Sequence, residues 1–284
     1  MSAAVEAVPH KSGNWGLWFR QVGAILRMEL EKNFLSRRSI LIYLIAFSPL
    51  FPLAIFALVT PPGREWQDIN NYNLVYANMY NGLILRTVVF FGCAWIFMNL
   101  FRGEIVDRSL HYYFLSAVKR EVLVVGKYIS GLVTSIILFT VTTVIAMLLL
   151  YFPHIYSQTM RFFTDGRGLT HLLSYVGITM LACLGYGAFF LVVGLFVRNP
   201  IIPAVLLYGW EWLNFLLPPL LKKISVIHYL NSLLPVQIYE GPFAVVAEPT
   251  PAYIGIPSML GVTLLVLILA AYRIRHMEIR YGSD

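Results

Sequence analysis

Residues 128–152 read YISGLVTSIILFTVTTVIAMLLLYF, a run of 25 without one Asp, Glu, Lys or Arg. A helix of that length reaches about 37 Å, more than the roughly 30 Å of a bilayer's hydrocarbon core. The run is continuously apolar rather than alternating, so it reads as a membrane-crossing helix and not as a barrel strand. Five more runs of this kind lie around it, at about 39–59, 82–101, 172–197, 201–221 and 254–272. The expected fold is therefore an all-α integral membrane protein with six transmembrane helices. Composition agrees. Of 284 residues, 58% are apolar, and only 35 carry a charge (21 Lys+Arg and 14 Asp+Glu). A soluble domain of this length would carry about 71. Mean hydropathy is +0.72.

The net charge of +7 invites a nucleic-acid reading, but the placement of the charges points to membrane topology instead. Fifteen Lys and Arg residues fall on one side of the six spans, before the first, between the second and third, between the fourth and fifth, and after the sixth. Five fall on the other side: Arg64, Arg161, Arg167, Lys222 and Lys223. The excess predicts cytoplasmic N- and C-termini, and an even number of spans agrees. No cleavable signal peptide is expected, because 38 mostly polar or amphipathic residues precede the first apolar run. Cys93 and Cys183 fall in different spans and read as packed free thiols.

The flanks carry the remaining signals. Residues 15–38 have the pattern of an amphipathic helix. Arg20, Arg27, Glu31 and Arg38 lie within about 40° of one another on a helical wheel. Trp15, Trp18, Phe19, Val22, Ile25, Leu26 and Leu30 take the opposite arc, which Glu29 interrupts. Such a helix is expected to lie in the cytoplasmic membrane interface. Residues 102–127 form the longest cytoplasmic connection. Glu104, Asp107, Arg108 and His111 stand at helical spacing there, followed by Tyr112, Tyr113, Phe114 and the basic pair Lys119-Arg120. Exposed charge beside exposed aromatics suits a docking surface. On the other side, residues 60–80 and 153–170 read as polar loops. Residues 222–253, apolar but broken by prolines, read as short helices lying on the outer surface or re-entering shallowly.

Catalytic motifs are missing from the sequence. There is no phosphate-cradling GxxxxGK[ST], no GxSxG and no HExxH, and the histidines are scattered. Residues 116–119 match SxxK by chance, since the partner motifs are absent. No catalytic or metal site is expected in this chain. Charges inside the spans carry more weight, because each costs roughly 2.5–3.5 kcal/mol at the membrane centre. Glu211, in Trp210-Glu211-Trp212, and Arg86 are the two. They are candidates for a polar transport path or, equally, for a structural hydrogen bond or ion pair. Gly187 and Gly194, seven residues apart, mark a face where another helix can approach closely.

Taken together, the layout resembles the permease subunits of type-2 ABC exporters. The most specific stretch is 104–127, where Glu104, Leu115-Ser116, Lys119-Arg120 and Gly126-Lys127 match the family's pattern. The family's usual proline after the serine turn is replaced here by Ala117 or Val118. The resemblance implies a single permease domain over 1–284, paired with a second permease copy or paralogue in the bacterial inner (plasma) membrane among its lipids. Two copies of a cytoplasmic ATPase would bind the ATP and Mg, so no cofactor is expected in this chain. A coupling helix holding Glu104, Asp107, Arg108, His111, Tyr112, Lys119 and Arg120 would dock on that ATPase. The amphipathic helix would meet it through Arg20, Arg27, Glu29 and Glu31. Spans two and five would line the path, with Glu211 and Arg86 near it. The expected cargo is a lipid-linked, amphipathic or small hydrophobic substrate. Competing classes are a membrane-embedded lipid-modifying enzyme, for which Glu104, Asp107 and His111 are the nearest acid–base set, and a structural or sensory subunit without a transport path.

Overall fold

Long apolar runs with few breakers fold as long helices, because in lipid every backbone polar group must be satisfied within the chain. The computed structural model of the protein describes residues 15–36, 39–59, 69–106, 115, 119–151, 156–197, 199–238, 244–245 and 248–276. Among these residues there is no strand. The helices are α1 (Trp15–Leu35), α2 (Ser39–Phe47), α3 (Leu50–Val59), α4 (Ile69–Val106), α5 (Arg120–Tyr151) and α6 (Tyr156–Thr164). They continue with α7 (Arg167–Phe196), α8 (Ile201–Leu216), α9 (Pro219–Lys222), α10 (Val226–Ser232) and α11 (Ala252–Arg275). The α2–α3 pair, α4, α5, α7 and α11 are long and apolar enough to cross a membrane.

The fifth expected span, 201–221, is the exception. Rather than running to residue 221, α8 is α-helical only to Trp212 and ends in one 3₁₀ turn, Leu213–Leu216. Pro218 and Pro219 follow after Leu217, and neither can supply the N–H a continuing helix needs. The result is about 26 Å long, short of the apolar layer. Beyond it the chain folds back, and the first residues of α10 return to the level of Glu211. Residues 222–227 thus fold back beside α8.

A second difference concerns α4. Its first eleven residues, Ile69–Met79, are helical where a polar loop was expected. The reason is the four-residue spacing of Tyr72, Tyr76 and Tyr80, which puts three aromatic rings on one helix face. Those rings bury against Tyr151 and Tyr175, with centroid distances of 4.8 Å for Tyr76–Tyr175 and 4.7 Å for Tyr80–Tyr175. Their hydroxyls find acceptors across helices: Tyr76 donates to the Thr143 carbonyl at 2.9 Å and Tyr80 to that of Tyr175 at 3.0 Å. From Tyr80 to Val89 the helix widens to π geometry, whose five-residue spacing sets Arg86 beside Asn81.

Helix α7 is the centre of the bundle and packs against α4, α5 and α11. Gly187 and Gly194 lie where close approach was expected. A Cβ on Gly194 would sit 2.9 Å from both the Cα and the carbonyl oxygen of Met98, so here the two backbones touch. At Gly187 the obstruction is the Phe97 ring, 2.5 Å away. Gly194→Ala is expected to cost about 1–3 kcal/mol, since backbone must move to admit the methyl. Gly177→Ala on the same helix, with open space around it, serves as the control and should be neutral or slightly stabilising. Thermal unfolding of the two variants in detergent checks the contrast.

Helix α1 runs alongside the first half of α5. Lys119 stands over the Trp18 ring at 4.7 Å, Ile25 fills the space over Gly126, and the Asn33 amide donates to Thr134 Oγ1 at 3.2 Å. These three pairs share one offset in sequence, which is the mark of two helices running parallel. The start of α5 is available for this because its 32 residues extend about 48 Å, well beyond the apolar layer.

Candidate functional site

Two polar nodes are buried in the bundle. The first forms where α1, α4 and α5 meet. Lys127 is fully buried on α5, and its ammonium donates to Glu29 Oε1 at 2.6 Å and to Glu104 Oε1 at 2.7 Å. Lys32 reaches the same two carboxylates, at 3.6 Å for Glu29 and 3.3 Å for Glu104. The Phe101 ring underlies Lys127, its centroid 5.4 Å from the ammonium. Two acids and two bases make the node formally neutral. This arrangement explains why Glu29 interrupts the apolar arc of α1: Ile25 and Glu29 are the buried positions of the face that packs on α5. Desolvating such a group is costly, and only short charge-assisted bonds offset it.

The expected docking residues therefore divide. Glu104 is buried and bonded to Lys127, not exposed to a partner. Arg120 reaches the Ile274 and Arg275 carbonyls at 3.4 and 3.1 Å, holding the last turn of α11, where orphan acceptors and the negative helix end favour a cation. Lys119 is exposed, with Trp18 under it. Asp107, Arg108, His111 and Tyr112 lie outside the described residues. On α1, Arg20 is exposed, and Arg27 pairs with Glu31 at 3.4 Å across solvent. Lys32, Arg120, Lys127 and Arg275 gather around the first turns of α5, with the last turns of α1 and α11.

The second node surrounds Glu211, which is 2% exposed. Its carboxylate accepts from Ser225 Oγ at 2.8 Å, the Val226 N–H at 3.1 Å, the Ile227 N–H at 2.9 Å and Tyr186 OH at 3.3 Å. Helix α10 is thus capped by a residue fifteen positions upstream, while Ser225 at its N-cap position makes no capping bond of its own. Arg86 meets this node through the backbone. Its guanidinium donates to the Glu211 carbonyl at 3.2 Å and the Trp212 carbonyl at 3.3 Å, with the Trp212 ring 5.9 Å away. The expected association of Arg86 with Glu211 is present, but through the last carbonyls of the α-helical part of α8. Both charged residues hold the break in α8.

Sequence reasoning missed Lys127 as the centre of the first node, and Ser225 and Tyr186 as partners in the second. The available signals were a carboxylate on an apolar arc and a lysine at the apolar start of α5. Cys93 and Cys183 are buried together between α4 and α7. Among the described residues no group of three His, Cys, Asp or Glu side chains could hold a metal.

These features define the class: a helical protein with several helices suited to crossing a membrane, braced by buried charge at one end and at a broken helix. No protein-family model and no curated protein matches the sequence.

Proposed function

We propose that this chain is the membrane permease subunit of an ATP-driven exporter, similar to the type-2 ABC permeases and powered by a separate ATPase. Both termini face the cytoplasm in this reading, which counts α8 as a short sixth crossing beside the five longer helices, and two permease copies or paralogues form the path for an amphipathic or small hydrophobic cargo. The observation that carries the proposal is the Glu29–Lys127–Glu104 node. It joins α1 to the two helices that flank residues 107–119, at the basic end of the bundle. A push on that connection or on α1 would reach three helices together, as a chain driven from outside requires. Commitment of Glu104 to Lys127 also removes the first member of the acid–base set that a lipid-modifying enzyme would have used.

The test is co-purification with the ATPase encoded nearest to this chain. Lys119→Glu combined with Arg108→Glu should abolish its retention while the permease still purifies as a folded protein. Undiminished retention of the ATPase by that double variant would refute the docking assignment.

A further inference from the structure

Between α7, α8, α10 and α11 lies a cavity of about 550 Å³, within the range of roughly 300–1,000 Å³ usual for ligand pockets. Its walls include Phe189, Leu207, Trp210, Met259, Val262 and Val266, which would suit an aliphatic chain. Two charged residues line it, Glu211 and Lys223. They differ in what is left to bind. The Glu211 carboxylate is already met by four donors, and Arg86 lies on the carbonyls behind it. Lys223, on the turn between α9 and α10, is exposed and makes no ion pair or hydrogen bond among the described residues. Its neighbours Leu220 and Ile224 are 79% and 70% exposed. An ammonium between exposed aliphatic side chains, at the edge of an apolar cavity, suits an anion that itself arrives in an apolar setting.

We propose that this cavity holds an acyl chain of an anionic phospholipid, with Lys223 binding the headgroup phosphate. A soluble anion would leave the apolar walls unused, and a neutral lipid would leave the ammonium unpaired. A long-chain anion satisfies both ends, and the long-chain anions a bilayer supplies in quantity are its anionic phospholipids. The site lies on the α7–α8–α11 side of one chain and needs neither ATPase nor cargo, but it requires that a second copy leave this face open to lipid.

Trp210 in the cavity wall provides the probe. The protein is placed in phosphatidylcholine nanodiscs carrying either phosphatidylglycerol with brominated acyl chains or phosphatidylcholine with brominated acyl chains. Quenching assigned to Trp210 is the difference between the native protein and Trp210→Phe. Brominated phosphatidylglycerol should reach half-quenching at about fivefold lower mole fraction, the factor one lysine contributes near an anionic headgroup. Lys223→Gln should remove that preference, Lys223→Arg should keep it, and excess inorganic phosphate should leave it unchanged. Equal quenching by the two lipids, or a preference that survives Lys223→Gln, overturns the assignment. So does displacement by phosphate alone, which would make the site one for a free anion. Absence of Trp210 quenching by either lipid also overturns it, as when a second copy of the chain covers this face.

Discussion

Lys127→Met should destabilise the protein by about 3–5 kcal/mol, the usual cost of removing one partner from a buried ion pair. The loss comes less from the missing bonds than from what remains. Glu29 and Glu104 share Lys127 as a donor at 2.6 and 2.7 Å and are both nearly inaccessible to water. Without Lys127, two carboxylates face each other, and half-exposed Lys32 at 3.3 and 3.6 Å is the cation that remains. The triple variant Glu29→Gln/Glu104→Gln/Lys127→Met leaves no buried charge and should recover most of the stability, because well-packed neutral replacements of buried ion clusters are often tolerated. Unfolding in detergent followed by tryptophan fluorescence measures both. Equal loss in the single and triple variants would show that lysine packing, not charge balance, matters at this position.

Glu211→Ala should have the second large effect. It strands the Val226 and Ile227 N–H groups, the Ser225 hydroxyl and the Tyr186 hydroxyl in a buried site. Each unsatisfied buried donor costs about 1–3 kcal/mol, so even with partial relaxation the loss should reach about 3 kcal/mol. Glu211→Gln keeps one carbonyl oxygen for the α10 backbone and should cost roughly half as much. Hydrogen exchange of the Val226 and Ile227 amides provides the local readout: fast in Glu211→Ala, intermediate in Glu211→Gln, slow in the native protein. Amides that stay slow in Glu211→Ala would mean that α10 is held by packing alone.

How far the sequence could be read depended on whether a feature was local. Uninterrupted apolar runs placed α5, α7 and α11 well, since span length is a property of one segment. The break in α8 is legible too, in Pro218-Pro219, but hydropathy alone does not register a missing N–H and so extends the run to residue 221. For α4, the Asn-rich composition of residues 69–79 suggested a loop, while the four-residue spacing of Tyr72, Tyr76 and Tyr80 carried the helix. Glu29 was visible as a flaw in an amphipathic pattern. Its partner Lys127 stands 98 positions away on another helix, and no periodicity within α1 points to it. Arg86 and Glu211 were legible as charges within apolar runs. That their contact runs through backbone carbonyls follows from the helix break, which only the folded chain displays.

The most direct test of the transport reading is ATP hydrolysis by the neighbouring ATPase, reconstituted with this chain in nanodiscs. The expected result is hydrolysis stimulated several-fold by the native chain, with stimulation lost in the folded triple variant that lacks the Glu29–Lys127–Glu104 node. Hydrolysis at the same rate with and without the chain, by an ATPase that does not bind it, would contradict the reading.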